Sequence, residues 1–498
     1  QTVYGVNTGF GLFSQVRISK ENLKKLQLNL IRSHAAGIGP YLSLQRTRML
    51  LALRINVLAK GHSGITVSTL SKMITALNHN LISCVPIKGT VGASGDLAQL
   101  AHLALGLLGE GEMWHHEHTE ACRNNENTTE HIKTSQFRPM PASKVLELHQ
   151  MKPLQLQPKE GLALINGTQF IASLGCEALI RGERVARQTD VVAAMSLEAL
   201  KGTPAAYHPS VHQARPHDGQ MYSANILRNL LHNPSKGDEY LSQIANSHHN
   251  CGKVQDAYTL RCAPQVHGIV HDTLRFCRKI LTTEINSATD NPMVFANETN
   301  PRYKIISGGN FHGEYPAKVL DYLAIAVSEL GNMSERRIER LNNPALSELP
   351  AFLVAKDGGL NNGFMIPHCT AAALVSENKV LCHPSSVDSL STSAAKEDHV
   401  SMGGFAARKA LQVLDNVETI IAIELMCAAQ GIDLLRPLKS TLPLEELHKT
   451  VREQVPKLEE DRFMKPDMEK CVDLIKQGKA WDAVKDYIPI RNHSLSKL

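Results

Sequence analysis

The sequence predicts a mainly α-helical protein built around a bundle of long helices. Apolar residues recur in steps of three or four, as at Leu414, Val417 and Ile421, whereas the alternation typical of β-strands is nearly absent. Long segments that are hydrophobic nearly all round lie at 269–285, 316–341 and 406–429. Such helices need partners on every side, and subunit association would supply them, so we expect a homo-oligomer.

Local signals predict several helix boundaries. Ser43 is a candidate N-cap for a helix through Lys60 that ends at Gly61. The apolar stripe of this helix is expected to contain Met49, Leu50, Leu53 and Val57. Further helices are expected over 19–31, 97–108, 163–200 after a break at 167–168, 411–431, and in a charged amphipathic tail over 442–498.

We expect one continuous globular unit with three parts. These are an N-terminal part with the motif-bearing loops (1–200), the central long-helix bundle (201–441) and the helical tail (442–498). Of the 498 residues, 43% are hydrophobic, so the chain can bury a large core. No apolar run is long enough to span a bilayer.

Charge and cysteine usage limit the partners and the compartment. The net charge is only +5 and the basic residues are scattered, which argues against nucleic acid and membranes and favours small molecules and copies of the chain. None of the ten cysteines forms a Cys-x-x-Cys pair, which favours reduced thiols in a cytoplasmic protein. The chain begins at Gln1 without a start methionine or targeting pattern, so we expect a missing N-terminal piece.

One polar segment, 114–143, interrupts the helical pattern. It has no periodicity, and we expect a flexible surface loop. Its three closely spaced histidines are His115, His116 and His118. They could bind zinc, but no second ligand cluster of suitable spacing accompanies them, so no metal site is predicted.

The stretch 89–96 contains backbone that can become an electrophile. Attack of the Gly95 amide nitrogen on the Ala93 carbonyl would close a five-membered ring, and Gly95 has no Cβ to obstruct the compression. Loss of water from the ring and from the Ser94 side chain would leave an exocyclic methylene that accepts nucleophiles. The same residues are also typical of an ordinary turn that caps the following helix.

The loop and its helix, Gly-Thr-Val-Gly-Ala-Ser-Gly-Asp-Leu-Ala, resemble the signature of the aromatic amino acid ammonia-lyase family. The resemblance implies that Ala93, Ser94 and Gly95 form 4-methylidene-imidazol-5-one (MIO), with no dissociable cofactor. It also implies a fumarase-like helical bundle assembled as a homotetramer, with each active site built from three subunits. Gln99 departs from the family pattern, in which a proline usually pre-sets the first turn of the helix.

A base is expected in the glycine-rich segment 4–11. Tyr4 on this loop can remove a β-proton from an amino acid, and the segment resembles the family's catalytic tyrosine loop. The glycine spacing fits neither a dinucleotide-binding loop nor a P-loop. A purely structural turn is the remaining alternative.

His34 and Asn166 are candidate substrate contacts. His34 can hydrogen-bond a polar ring, and the Ser33-His34 pair resembles family members that act on histidine or tyrosine. The family's asparagine that matches Asn166 lies beside the prosthetic group and substrate. Each residue also has a structural interpretation, as a satisfied histidine and as an N-cap respectively.

Gln255, Tyr258 and Arg261 recur at three-residue spacing, so they are expected to project from one side of a helical turn. Arg261 can form a bidentate pair with a substrate carboxylate, and an internal salt bridge is the competing explanation. The resemblance assigns the carboxylate to Arg261, a catalytic role to Tyr258 and substrate binding to Gln255.

Further matches surround Asp290 and the segment 308–313. The resemblance places Phe311 near the prosthetic ring, while Asp290 and Asn310 could equally cap helices. Histidine-specific members carry a glutamate where Glu397 stands, and it would pair with the substrate imidazole. A carboxylate beside a phenyl ring would have no partner and a large desolvation cost. A solvated Glu-Asp pair on a helix is the alternative.

The resemblance runs from residue 4 to about residue 462. It implies a carbon–nitrogen lyase that converts L-histidine to trans-urocanate and ammonia, the first step of histidine degradation. Tyr4 would remove the β-proton, while Arg261 and Asn166 would hold the carboxylate and amine end. His34 and Glu397 would orient the imidazole. The alternatives are a phenylalanine or tyrosine ammonia-lyase, an aminomutase, and an inactive member acting as a binding or structural protein.

Overall fold

The computed structural model describes residues 2–116, 137–232, 241–248, 252, 254–296 and 304–489. Within these residues the protein is mainly α-helical, which confirms the predicted fold class. None of the helices described there combines the length and the apolar character that crossing a bilayer requires.

The helices reproduce most of the predicted segments. In chain order they are α1 Leu23–His34, α2 Leu44–Ala59, α3 Val67–Asn78, α4 Leu97–Leu107, α5 Ala142–Leu148, α6 Glu160–Ile165, α7 Gln169–Ala199, α8 Pro209–Gln213, α9 Asp218–Leu231, α10 Gln243–Ser247, α11 Tyr258–Arg261, α12 Ala263–Ile285, α13 Glu314–Asn342, α14 Pro344–Ser347, α15 Met365–Leu381, α16 Gly403–Leu434, α17 Leu442–Arg452, α18 Lys465–Gln477 and α19 Lys479–Asp482. The predicted all-round apolar segments fall within α12, α13 and α16. The predicted tail helices correspond to α17, α18 and α19.

The strands are short and form three small antiparallel sheets. They are β1 Ile38–Tyr41, β2 Ile82–Ser83, β3 Pro86–Lys88, β4 Glu112–His116, β5 Phe137–Pro141, β6 Met293–Phe295 and β7 Lys304–Ile306. The strand orders are β1-β3, β2-β4-β5 and β6-β7.

The pairing of β4 with β5 corrects one prediction. Trp114 lies opposite Pro139, and the two strands occupy both ends of the segment that was predicted to be a flexible loop. That prediction is wrong for 114–116 and 137–141, because pairing between strands and not periodicity along the chain orders them. The middle of the segment, 117–136, including His118, lies outside the described residues.

The chain divides into two compact units. The first contains Gln1–Cys176, Ile280–Leu320 and Pro384–Arg408, and the second contains Glu177–Lys279, Asp321–His383 and Lys409–Leu498. The three-part division with borders at residues 200 and 441 stays a prediction.

Helix α2, in the first unit, follows its predicted boundaries closely. The Ser43 side chain accepts a hydrogen bond from the Arg46 amide at 3.4 Å, and the helix ends at Ala59. The predicted apolar stripe is only partly correct, because Met49 is 41% exposed whereas Arg54 is fully buried. Arg54 is tolerated inside because backbone carbonyls accept its hydrogen bonds.

The second unit encloses a charged pair within an apolar core. Helix α16 is buried over most of its length, and the Arg337 guanidinium on α13 donates to both carboxylate oxygens of Glu424 on α16. Ser196 on α7 donates to the same carboxylate at 2.6 Å. Removing either charge would leave the other buried without a partner, so the pair fixes the register of these helices.

Asp96 joins the loop between β3 and α4, in the first unit, to the start of α7. Its fully buried carboxylate accepts hydrogen bonds from the Ile171 amide at 3.0 Å and from the Thr90 hydroxyl at 3.1 Å. The positive end of the α7 dipole also favours a charge here. Burial nevertheless dominates and raises the pKa of the Asp96 carboxyl to about 7.

Replacing Asp96 with asparagine should change how stability depends on pH. The folded protein holds the Asp96 proton to a higher pH than the unfolded chain does, so this residue lowers stability as pH rises from about 4 to about 7. Asparagine keeps a hydrogen-bond acceptor but does not ionise. The Tm of Asp96→Asn, relative to wild type, should therefore increase across this window. Thermal unfolding at several pH values checks this, and a Tm difference independent of pH would contradict it.

Candidate active site

A cavity of about 400 Å³ lies within the first unit. Six of the predicted site residues line it, namely Tyr4, His34, Ser94, Asn166, Phe311 and Glu397. They come from distant segments of the chain, so tertiary folding brings them together.

The Ala93-Ser94-Gly95 segment lies in the loop between β3 and α4. Gly95 has a φ of +73°, and a Cβ at this position would lie 2.2 Å from the carbonyl oxygen of Gly167. Only glycine meets both requirements. The Asp96 amide donates to the same carbonyl at 2.8 Å, so the two backbones are in direct contact.

A second segment, 401–403, holds the loop on the other side of Ser94. Ser401 Oγ donates to the Gly92 carbonyl at 3.1 Å, and the Met402 amide donates to the Val91 carbonyl at 2.9 Å. A Cβ at Gly92 would lie 2.1 Å from Ser401 Oγ, so a side chain there would separate the two segments. The loop is therefore fixed on both sides of the serine.

The residues around Ser94 fit the implied prosthetic group. The Ser94 hydroxyl donates to Glu397 Oε1 at 2.7 Å, and the Asn166 side-chain amide donates to the Ser94 carbonyl at 3.1 Å. The amide oxygen of Asn166 is buried and has no hydrogen-bond partner in the described part of the chain. MIO formation would remove the hydroxyl at the cavity and keep the carbonyl that Asn166 contacts.

Asn166 lies at the C-terminus of α6, so its interpretation as an N-cap is wrong. The buried Arg54 holds the break that follows, because its Nη1 donates to the Asn166 carbonyl at 2.9 Å and its Nη2 donates to the Ala163 carbonyl. Burial lowers the pKa of Arg54 to about 10, and the buried Asp290 lies 3.8 Å away. Asp290 therefore balances a buried charge beneath Asn166.

Glu397 is carried by a left-handed turn, so the helical alternative considered for it is wrong. Residues 393–395 have φ values between +53° and +61°, and the turn is closed by backbone pairing of Thr392 with Glu397. Consecutive left-handed residues cannot belong to a right-handed helix. Thr392 Oγ1 donates to Glu397 Oε2 at 2.6 Å, while Ser94 occupies the other oxygen.

His34 is the last residue of α1 and lines the cavity. Its Nδ1 lies 2.9 Å from Ser33 Oγ. Burial lowers the pKa of His34 and outweighs the opposing effects of a hydrogen bond to the Leu30 carbonyl and of the Glu397 charge.

Tyr4 and Phe311 complete the predicted residues of this cavity. The Tyr4 hydroxyl oxygen accepts a hydrogen bond from the Gly11 amide at 3.4 Å. The ring of Phe10 lies edge to face with the Tyr4 ring, at 6.0 Å between centroids. Asn310, next to Phe311, is exposed and donates to the Ala288 carbonyl at 3.4 Å.

Gln255, Tyr258 and Arg261 lie in the second unit and do not line this cavity. Helix α11 is a single turn, so the predicted helical side holds for Tyr258 and Arg261 but not for Gln255, which precedes it. The Arg261 guanidinium lies over the Tyr258 ring, 4.6 Å from its centroid. Its buried Nε has no hydrogen-bond partner among the described residues, which also offer Arg261 no salt bridge.

Two buried side chains hold α11 by its backbone. Tyr207 Oη donates to the Leu260 carbonyl at 2.8 Å, and Arg337 Nη1 donates to the Thr259 carbonyl at 3.3 Å. Arg337 is the same residue that pairs with Glu424. The orientation of α11 is therefore tied to the buried charges of the second unit.

Gln99, the departure from the family pattern, is fully buried in the first turn of α4. Its side-chain amide donates to the Pro86 carbonyl on β3 at 3.4 Å, which links the two elements that flank the prosthetic loop. Elsewhere, His115 and His116 lie on β4. In the described ranges, no three or more His, Cys, Asp or Glu side chains are grouped so as to hold a metal ion.

Sequence analysis missed several residues of the site. Four cavity-lining residues that the sequence did not single out are Ser14, Asn291, Ser307 and Lys396. The position of Lys396 next to Glu397 in the chain could have indicated that it lies at the site. Arg54 was also missed, although it stands four residues after Leu50 and three before Val57. A charge at a periodic apolar position of a helix indicates a buried partner.

Sequence comparison identifies relatives over nearly the whole chain. A model described as aromatic amino acid lyase matches residues 1–453. Histidine ammonia-lyase of Mus musculus is 60% identical over 486 residues, which cover 98% of this chain and 70% of that protein. Histidine ammonia-lyase of Caenorhabditis elegans is 59% identical over 488 residues, covering 98% and 68% respectively.

Solved structures give the same result. The crystal structure of histidine ammonia-lyase from Trypanosoma cruzi superposes with a TM-score of 0.85 at 53% identity, covering 98% of this chain and 86% of that one. Tyrosine aminomutase from Streptomyces globisporus has a TM-score of 0.86 at 35% identity, covering 99% and 90%. This chain therefore belongs to the aromatic amino acid lyase family.

Proposed function

We propose that this protein eliminates ammonia non-oxidatively from L-histidine and gives trans-urocanate, the first step of histidine degradation. The hydrogen bond of 2.7 Å from Ser94 to Glu397 carries the proposal, because it places a carboxylate able to bind an imidazole beside the reactive segment. Relatives at 60% and 59% identity that are named histidine ammonia-lyase support the same substrate.

MIO formed from Ala93, Ser94 and Gly95 is the proposed prosthetic group, with no dissociable cofactor. When formed, it supplies an electrophilic methylene carbon. The close contact of Gly95 with Gly167 supports this assignment, because it holds Gly95 at a φ of +73° and leaves no room for a Cβ beside the nitrogen that would close the ring. Asn166 offers an N–H donor to the Ser94 carbonyl and can orient the amine end of the substrate.

Tyr4 is the proposed base for the β-proton. It lines the cavity, and the Gly11 amide donates to its hydroxyl oxygen, which orients the phenol group. Phe10 packs edge to face with the Tyr4 ring and helps to position it.

His34 and Glu397 are the proposed imidazole-binding pair. Both line the cavity, and Glu397 acts on the pKa of His34. A phenyl ring would leave Glu397 Oε1 without a donor once the Ser94 hydroxyl is lost, at a cost of about 1–3 kcal/mol. A phenylalanine or tyrosine ammonia-lyase, or an aminomutase, is the second candidate, and the fold shared with tyrosine aminomutase at 35% identity favours it.

We further propose a cytoplasmic homotetramer in which α11 of another subunit completes each cavity. Among the described residues that line the cavity, Lys396 is the one Lys or Arg that could pair with the substrate carboxylate, whereas Arg261 has no salt bridge in the described part of its own chain. Tyr258 is 70% exposed, which suits a second catalytic tyrosine offered to a neighbouring subunit. Gln255, also exposed, would join it in binding substrate.

Ser94→Ala tests formation of the prosthetic group. Without the hydroxyl the conjugated methylene cannot form, so we expect near-ultraviolet absorption below that of wild type and loss of urocanate production. Purified proteins are compared by difference spectra, with the exposed Ser143→Ala as the matched control. Identical spectra for wild type and Ser94→Ala would mean that no ring forms.

Glu397→Gln tests the substrate assignment. Loss of a charge-assisted hydrogen bond to the imidazole should lower kcat/KM for L-histidine roughly 10- to 100-fold, with little change in Tm. The exposed neighbour Asp398→Asn is the control. Urocanate formation by the variant at the wild-type rate would remove Glu397 from substrate binding. Wild-type turnover of L-phenylalanine or L-tyrosine without turnover of L-histidine would favour the second candidate.

Mixed tetramers test the shared site. Arg261→Gln and Ser94→Ala chains should each be inactive alone, because one lacks the carboxylate-binding residue and the other lacks the prosthetic group. Coexpressed, they should regain part of the wild-type activity, since some sites combine an intact loop from one chain with an intact Arg261 from another. Failure of any activity to return in verified mixed tetramers would indicate that each site belongs to one chain.

A further inference from the structure

The segment that follows Glu397 is fixed at one peptide group. The His399 carbonyl accepts a hydrogen bond from His312 Nε2 at 3.1 Å. The Val400 amide donates to Ser389 Oγ at 3.1 Å. This carbonyl and this amide belong to the same peptide bond, so its plane is held at both ends. The backbone two residues beyond Glu397 is therefore fixed by two side chains from other parts of the chain.

The geometry leaves one role for His312 in this contact. A carbonyl oxygen only accepts hydrogen bonds, so Nε2 must carry the hydrogen. The His312 ring also stacks on the His399 ring, with 5.7 Å between the centroids and 11° between the planes. His312 is partly buried but is not among the residues that line the cavity. It therefore affects the cavity through the segments that it joins.

His312 is itself anchored to the prosthetic loop. The next residue, Gly313, donates from its amide to the Gly92 carbonyl at 3.1 Å. Ser401 Oγ donates to the same carbonyl at 3.1 Å, and a Cβ on Gly313 would lie 2.8 Å from that oxygen. The hydrogen bond from His312 therefore joins two segments that already share an anchor on the loop.

Glu397 needs this support because its own turn is unfavourable. Residues 393–395 lie in the left-handed region, which residues with a Cβ disfavour. The Ser94 hydroxyl holds Glu397 Oε1 in the unprocessed chain, but ring formation would remove that hydrogen bond. Thr392, on the same turn, is the other side-chain donor to this carboxylate among the described residues. In the processed protein the position of the carboxylate would therefore depend on contacts outside the turn.

We propose that His312 is a positioning residue for Glu397, through the hydrogen bond from its Nε2 to the His399 carbonyl. By fixing the peptide group beyond Glu397, this bond keeps the carboxylate beside the reactive segment after the Ser94 hydroxyl is lost. The inference rests on the proposed function, in which Glu397 and His34 form the subsite for the substrate ring, the ring subsite.

Two amide substitutions separate the hydrogen bond from the bulk of the side chain. In His312→Gln an amide N–H reaches the place of Nε2, whereas in His312→Asn it reaches only the place of Nδ1. We expect His312→Asn to lower kcat/KM for L-histidine roughly 10-fold, mainly by raising KM, while His312→Gln keeps most of the wild-type value. His312→Met fills the space without an N–H and should behave like His312→Asn. Urocanate formation by the whole enzyme is the measurement, and near-ultraviolet absorption checks that each variant has formed the prosthetic group.

A double-mutant cycle tests whether His312 acts through Glu397. In the Glu397→Gln background, His312→Asn should cause less than about a twofold further loss of kcat/KM. The same loss in both backgrounds, or equal kcat/KM for His312→Asn and His312→Gln, would overturn the inference. Absence of urocanate from L-histidine, or turnover by Glu397→Gln at the wild-type rate, would instead contradict the proposed function.

Discussion

The site depends on one close backbone contact, between Gly95 and Gly167. A Cβ on Gly95 would meet the Gly167 carbonyl oxygen at 2.2 Å, and a Cβ on Gly167 would meet Arg54 Nη1 at 2.5 Å. The contact joins the loop that carries Ser94 to the break that carries Asn166, and Asp96 extends it to the N-terminus of α7. The conformation of the loop, the position of the asparagine and the start of a long helix are therefore one constraint. Any added atom at this point would disturb all three.

The break that carries Asn166 and the single-turn helix α11 each rest on a buried arginine. Arg54 donates to the carbonyls of Ala163 and Asn166, and Arg337 donates to the carbonyl of Thr259 in α11. Each guanidinium has a buried carboxylate nearby, with Asp290 at 3.8 Å from Arg54 in the first unit. A planar group with five donors can bind a carboxylate and several main-chain carbonyls at once. An uncompensated buried charge costs several kcal/mol. A buried guanidinium that is paired in this way is therefore displaced less readily than a side chain held by a hydrogen bond at the surface.

The sequence predicted the features that depend on residues close together in the chain, such as helix caps and apolar helix faces. Ser43 caps α2 because its side chain reaches its own helix, and the apolar steps along α16 reflect burial on every side. Other features depend on contacts between distant residues, and no local signal determined them. The residues 393–395, Ser-Ala-Ala, favour a right-handed helix by propensity, yet pairing of Thr392 with Glu397 closes a left-handed turn. Six predicted residues meet in one cavity, whereas Arg261 lies in the second unit and does not line it.

The hydrogen bond from Ser94 to Glu397 acquires a further meaning if the loop matures as proposed. A partly buried carboxylate needs donors, and in the unprocessed chain the Ser94 hydroxyl is one of them, with Thr392 as the other. Ring formation removes that hydroxyl and frees Oε1 for an incoming N–H. In the unprocessed chain the Ser94 hydroxyl therefore occupies Glu397 Oε1, the atom that is proposed to bind the N–H of the substrate ring. One chemical event then creates the electrophile and opens the ring subsite.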